Sequence, residues 1–250
     1  MYRERRRNHI IYLLFFLALI GNIGLWFHSH YLQSRWDNVP PVPGKTGVNS
    51  FGLGDPQFAY RATGMMLQNI GSTGAHYEPL KDYDYDKIGQ WLVLADRLDP
   101  RSDFMPMLAA YYYGATQNPK QLPPIVDYLA MAGGHDDGTG EKWRWLAQAV
   151  YLARWRERDM TRALELAREL ATKYRPGRPL WIRQMPAFVM TGAGDKKTAY
   201  ALMLNIIKDE EGKVPSQEIN SAIVFICQRI LDKKDAADNQ LCTSPPPGVK

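Results

Sequence analysis

The chain has 250 residues, 45% of them hydrophobic, and 31 Lys and Arg against 26 Asp and Glu give a formal net charge of +5. Most of that excess is local, because Arg3, Arg5, Arg6 and Arg7 against Glu4 supply +3 within residues 1–9 and leave 27 basic and 25 acidic side chains beyond. So balanced a remainder lacks the clustered basic face of a nucleic-acid binder, and nucleic acid is excluded as a partner.

The first predicted element is an apolar run over residues 10–27, with no charge and Asn22 as its one strongly polar member. As a helix it reaches ~27 Å, near the thickness of a bilayer core. A cleaved secretory signal has a shorter apolar region, ~7–15 residues, and ends in a small-x-small site. Here Trp26, Phe27, His28, Ser29 and His30 follow, with no such site and no cysteine for lipid attachment. The sequence therefore predicts a retained transmembrane helix over 10–27, behind a basic flank at 1–9. Arg35 and Lys45 are the only bases soon after it, so the positive-inside rule places the N-terminus in the cytoplasm and the rest across the membrane. In a bacterium this is a single-pass inner-membrane protein with a periplasmic C-terminal domain. Asn22 lies between Gly21 and Gly24, where small residues allow a second helix to approach and an amide can bond across. It is a candidate partner contact, against the plainer reading of an amide tolerated near the interface.

Residues 28–54 carry Pro40, Pro41, Pro43, Gly44, Gly47, Gly52 and Gly54, a density that predicts an extended tether. A helical domain is expected over 55–232 and a flexible tail over 233–250. Asp55 and Pro56 open the first helix and Gly71 closes it. Ile88, Trp91, Leu92, Ala95 and Leu98 then follow helical spacing behind Asp84 and Asp86. Ala163, Leu166, Ala167, Leu170, Ala171 and Tyr174 form another apolar stripe, and Ala199, Leu202, Met203 and Ile206 a third. No Asn-Gly or Asp-Gly hairpin signal separates alternating segments, so no sheet is expected. First helices of successive pairs are predicted to start near Asp103, Glu141, Pro179 and Ser216, and second helices near 121–132, 160–174 and 196–209. A recurring interval of 37–38 residues, taken from those starts, is the mark of a helical-hairpin solenoid.

At these positions the chain resembles the tetratricopeptide-repeat family. Leu98-Asp99-Pro100 looks like the repeat-ending L-D-P, Asp159 with Ala163 like the inter-helix D-x-x-x-A, and Gly194-Asp195 with Ala199 repeats the latter. Arg175-Pro176 sits where a further repeat ends. The resemblance covers roughly 84–210 and implies an all-α, TPR-like solenoid that binds other proteins. The chain departs from the pattern in its longer repeat, its many tryptophans and Pro186 within a predicted first helix. An interior proline can cost ~3 kcal/mol, so that helix is expected to kink or start late.

Four aromatic residues are candidate partner contacts: Tyr112, Trp145, Trp155 and Trp181. They compete with a core role, since Trp143 shares a face with Leu146, Ala147 and Val150, while Trp145 shares another with Ala149 and Leu152. The acidic stretch 76–86 lacks the glycine and terminal glutamate of a calcium loop and reads as a helix cap with packing tyrosines. The turn at His135-Asp136-Asp137-Gly138 and the pair His28-x-His30 do not make a metal site. No nucleophile elbow, zinc-protease helix, P-loop or dinucleotide fingerprint is present. Cys227 and Cys242 have a closable spacing and lack a C-x-x-C context, which leaves a disulfide and two separate thiols both open. The expected function is a membrane-anchored, non-enzymatic protein–protein interaction scaffold for a membrane or envelope complex. It touches lipid through its anchor, with no cofactor, no metal and no small-molecule substrate identified. The alternatives are an accessory structural subunit of a larger membrane complex, or an envelope glycan hydrolase marked by a buried glutamate in an aromatic cleft.

Overall fold

The computed structural model describes residues 2–29, 39–73, 76–135 and 140–243. Helix α1, Tyr2–Ser29, is continuous, and its stretch Ile11–Ser29 has a mean hydropathy of 1.8 with no part buried. It is long and apolar enough to cross a membrane.

Part of the segment expected as tether is docked rather than free. Val39 is buried in the core, the Trp91 indole N–H donates to the Pro40 carbonyl at 2.7 Å, and a short helix α2 spans Lys45–Phe51. Proline makes this stretch extended, yet extended chain can still lie along a helix when one apolar side chain finds a hole.

Helix α3, Pro56–Asn69, starts at Asp55, whose carboxylate accepts from the Gln57 and Phe58 amides. Its link to α4, Tyr85–Leu98, departs from the sheet-free expectation. Ser72–Thr73 and His76–Tyr77 form a two-residue antiparallel ladder, far too small to make a layer. The turn depends on Gly71, with φ +76, because the Tyr83 hydroxyl donates to the Ile70 carbonyl at 2.6 Å across it and would meet any Cβ there. The fold stays all-α.

Beyond α4 the helices are α5, Phe104–Met107; α6, Pro123–Gly134; α7, Trp143–Tyr151; α8, Met160–Thr172; α9, Trp181–Gly192; α10, Lys196–Glu210; and α11, Ser216–Phe225. Their starts fall within a few residues of the positions read from spacing. Asp84, Asp159 and Asp195 each cap a helix through the amide three residues on, and Ile88, Ala163 and Ala199 one residue later are fully buried. The D-x-x-x-A spacing thus sets a cap and, four residues on, a side chain sunk wholly in the core. The same pattern at Asp55 and Ala59, which opens α3, is a further instance.

Three helices do not end as plain α-helices. α5, α7 and α11 run on through wider π-type turns at Leu108–Tyr112, Leu152–Glu157 and Ile226–Ile230. Pro186 lies inside α9, which begins at Trp181, two residues after the expected Pro179; the helix continues through the buried ring. From α4 onward the longer helices pack one on the next, α4 reaching past the short α5 to α6, then α6 on α7, α7 on α8, α8 on α9 and α9 on α10. α6 and α7 meet at Gly133, where an added Cβ would lie 2.2 Å from the Leu146 amide nitrogen. One core runs from Val39 to Ile182 and Val189 of α9, and a smaller one joins the other side of α9 to α10 and α11 around Met203 and Ile226.

Part of the stretch expected as a flexible tail is helical. Helices α12, Lys233–Asp238, and α13, Gln240–Thr243, fold back, with the Asn239 amide donating to the Tyr200 hydroxyl at 2.9 Å. Cys227 and Cys242 form a disulfide across a Cα–Cα distance of 5.7 Å, which resolves the pairing that spacing left open.

Candidate functional site, an aromatic groove on α5, α7 and α9

The opening of α7 reads Lys142-Trp143-Arg144-Trp145. Side chains two apart on a helix point roughly 200° apart, so the two indoles leave the helix in different directions. Trp143 turns inward and is 6% exposed, its ring edge-on to Trp181 with centroids 5.4 Å apart. Trp145 turns toward the start of α5, where its indole N–H donates to Asp103 Oδ1 at 2.7 Å and its ring meets Tyr111 at 6.5 Å.

Lys142 holds this arrangement from beneath. It is only 2% exposed, and its ammonium donates to Asp103 Oδ1 at 2.9 Å and to the Ser102 carbonyl at 2.8 Å. An ammonium this deep needs those partners, so the α5–α7 junction is fixed by charge as well as packing. On the outer lip, Glu141 pairs with Arg144 at 2.6 Å and the Arg144 guanidinium lies 5.6 Å above the Trp143 ring. The result is a groove of about 370 Å³, floored by Trp143 and Trp181 and walled by Tyr111 and Trp145. Its rim carries Asp103, Glu141, Arg144 and Gln148. Such a site can stack on a flat or apolar group and hydrogen-bond its edges. Both rim carboxylates are exposed and ion-paired, so neither has the buried, uncompensated setting of a catalytic acid.

Of the residues proposed from sequence, the groove brings together Trp145 and Trp181. Tyr112 is half-exposed and packs on the buried Tyr113, with centroids 5.1 Å apart, outside the groove. Trp155 stands exposed at the far end of α7 under the Arg154 guanidinium, 4.5 Å from its ring centre. Asn22 is exposed on α1. Sequence reasoning missed Asp103, Glu141, Arg144 and Gln148 as companions. The stripe Glu141, Trp145 and Gln148, at spacings of four and three, was a usable signal for two of them.

Behind the groove lies a buried polar seam. The Asp96 carboxylate is almost wholly enclosed, with His135 Nδ1 3.3 Å away. Burial pushes the Asp96 carboxyl above its ordinary value, while the positive charge of Lys142 and the neighbouring His135 act the other way. Glu157, beneath α7, is likewise raised by burial, against the pull of Arg162 at 3.3 Å. Among the described residues no three His, Cys, Asp or Glu side chains are placed to hold a metal ion. His30, Asp136, Asp137 and Gly138 lie outside the described residues. Compared with models of protein families, with curated proteins and with solved structures, the chain finds no match.

Proposed function

We propose that this chain is a membrane-anchored interaction scaffold. In this reading α1 is retained in the inner membrane with the N-terminus in the cytoplasm, and the helical domain works on the other face. The stacked pairs act as a TPR-like solenoid whose first helices present the groove to a segment of a membrane or envelope protein. The observation that carries the reading is the groove itself: an exposed tyrosine wall, a half-buried tryptophan wall and a paired-charge rim, held by a buried lysine. The Cys227–Cys242 disulfide supports placement in an oxidising compartment. The anchor raises the effective concentration of any partner in the same membrane.

Three measurements test this. A reporter that requires export, fused after Lys250, is expected to be active. Deletion of residues 55–240 is expected to abolish co-purification of the partner while α1 stays inserted. The pair Tyr111→Ala with Trp145→Ala is expected to weaken partner capture at least tenfold, ~1.4 kcal/mol, without unfolding the domain. A partner retained by the anchor alone would replace this reading with that of a structural subunit. Cleavage of envelope glycan by the purified protein, stopped by a single acidic substitution, would replace it with a hydrolase.

A further inference from the structure

The turn between α2 and α3 exposes apolar side chains that the fold does not use. Its sequence is Phe51-Gly52-Leu53-Gly54-Asp55-Pro56-Gln57-Phe58, and Leu53 is 87% exposed, Phe51 48% and Phe58 50%. No other large apolar side chain among the described residues stands as far into solvent as Leu53.

This turn is held, not loose. The Gly52 amide donates to the Val48 carbonyl at 2.9 Å, Leu53 to Ser50 at 3.2 Å and Asp55 to Gly52 at 2.8 Å. Gly52 is pressed on α3 so closely that a Cβ there would sit 2.7 Å from the Ala59 Cβ. Leu53 itself has φ +51, in the left-handed region where a branched side chain is strained and glycine or asparagine is at ease. A strained backbone that points an apolar side chain at water opposes folding twice, so its use lies outside the domain. Val48, one turn earlier, shows the contrast: it is buried against the fold.

We propose that this turn is a wedge that enters the lipid surface of the membrane holding α1, an inference that rests on the membrane-anchored reading above. Chain length argues for lipid as the occupant. Only residues 30–38 separate Ser29, the end of the membrane-length stretch, from Val39, which is fixed in the core. Ten Cα steps span at most ~36 Å, so Val39 stays within that distance of the outer end of α1, and α2 begins only six residues further on, at Lys45. Charge argues the same way. The wedge holds one ionisable group, Asp55, and its carboxylate is engaged in capping α3. An uncharged tip of one leucine flanked by two phenylalanines suits the headgroup–acyl boundary, where apolar side chains gain burial without a charge being desolvated. The wedge adds a second attachment point and fixes which side of the helical domain faces away from the membrane.

The test uses the full chain in nanodiscs of phosphatidylcholine and phosphatidylglycerol, with a nitroxide at one introduced cysteine at a time. Positions are Leu53→Cys, Leu17→Cys inside α1, and Lys213→Cys on an exposed turn between α10 and α11. Cys227 and Cys242 are bonded to each other and stay unlabelled. Collision of the label with oxygen, which concentrates in lipid, is compared with collision with a water-soluble nickel complex. The expected result is an oxygen-to-nickel ratio at position 53 at least threefold above that at 213, with position 17 higher still. Phe51→Cys and Phe58→Cys are expected to fall between 53 and 213, which guards against a local distortion by the label at 53. Equal ratios at 53 and 213 with a lipid-like 17 would overturn the wedge and leave the anchor standing. A water-like 17 would overturn both. A label at 53 shielded from both reagents would mean that protein covers the turn, and would also overturn the lipid assignment.

Discussion

Replacing Gly133 by alanine puts the best helix former into the middle of a helix contact and is nevertheless expected to destabilise the protein. Alanine gains up to ~1 kcal/mol of intrinsic helix propensity over glycine. Against that, the new Cβ would lie 2.2 Å from the Leu146 nitrogen, 2.6 Å from its Cβ and 2.7 Å from its Cα. Ordinary contact begins near 3.4 Å, so the closest approach is short by 1.2 Å, and two of the three atoms are backbone that no rotamer change can move. Helices α6 and α7 must separate, at an overpacking cost of ~2–3 kcal/mol, the upper part of the usual range. The net loss is ~1–2 kcal/mol, and for a domain of this size each kcal/mol lowers Tm by ~2–4 °C, giving a fall of ~2–8 °C. The neighbouring change, Gly134→Ala, is the internal control. Its Cβ meets only Glu169 Oε1, at 3.8 Å, so Tm is expected to hold or rise by up to ~2–4 °C. Thermal melts of the full chain in detergent, followed by far-UV circular dichroism, separate the two. A Gly133→Ala melt at or above that of Gly134→Ala would refute the close α6–α7 crossing and the groove geometry built on it.

Trp143→Ala is expected to destabilise by ~3–5 kcal/mol in denaturant titrations, because a nearly enclosed indole packed edge-on against Trp181 leaves a large cavity; a change near zero would put the ring at the surface. Reduction of the Cys227–Cys242 bond, or Cys242→Ser, frees a loop with a sequence separation of 15 and is expected to cost ~3 kcal/mol, read as a lower midpoint under reductant; an unchanged midpoint would argue that α12 and α13 add nothing to the fold. Asp96 supplies a pH test. Burial raises its carboxyl in the folded state, so the native form binds the proton more tightly than the unfolded one, and stability falls as pH climbs from the ordinary carboxylate value through the raised one. Asp96→Asn is expected to remove that slope, and parallel Tm–pH curves for the two proteins would refute it.

Helices α4, α8 and α10 were legible because each announces itself locally: an aspartate cap is followed after four residues by a small or branched apolar side chain, and a stripe then repeats at helical spacing. Helices α6, α7 and α9 have no such cap and were legible from apolar spacing alone. What escaped has a tertiary or geometric cause. The Val39 segment read as tether because the residue that holds it, Trp91, lies 51 positions from Pro40. The groove joins Asp103 to Trp145 over 42 positions, and no periodicity within one helix reports such a contact. The π-type turns after α5, α7 and α11 are a choice of hydrogen-bond partner that the same residue types leave undecided. The disulfide needed a distance, since α12 and α13 had to fold back before Cys242 could reach Cys227. Aromatic composition identified two groove residues and two outside it, because exposure depends on which side of each helix its neighbours cover.

The docking of Val39 and Pro40 also sets how the molecule bears tension. Any pull exerted through α1 enters the domain at Val39, a side chain sunk in the core, and at a carbonyl clasped by the Trp91 indole. The force therefore passes sideways into α4, which is wedged between α3 and α6, instead of peeling α2 and α3 off one end. The chain has to tear out a buried valine and break the tryptophan clasp before its first capped helix feels any strain. In the proposed membrane-anchored scaffold, membrane undulation or the drag of a bound partner would thus be taken up at Val39 and Pro40, upstream of the surface that carries the groove.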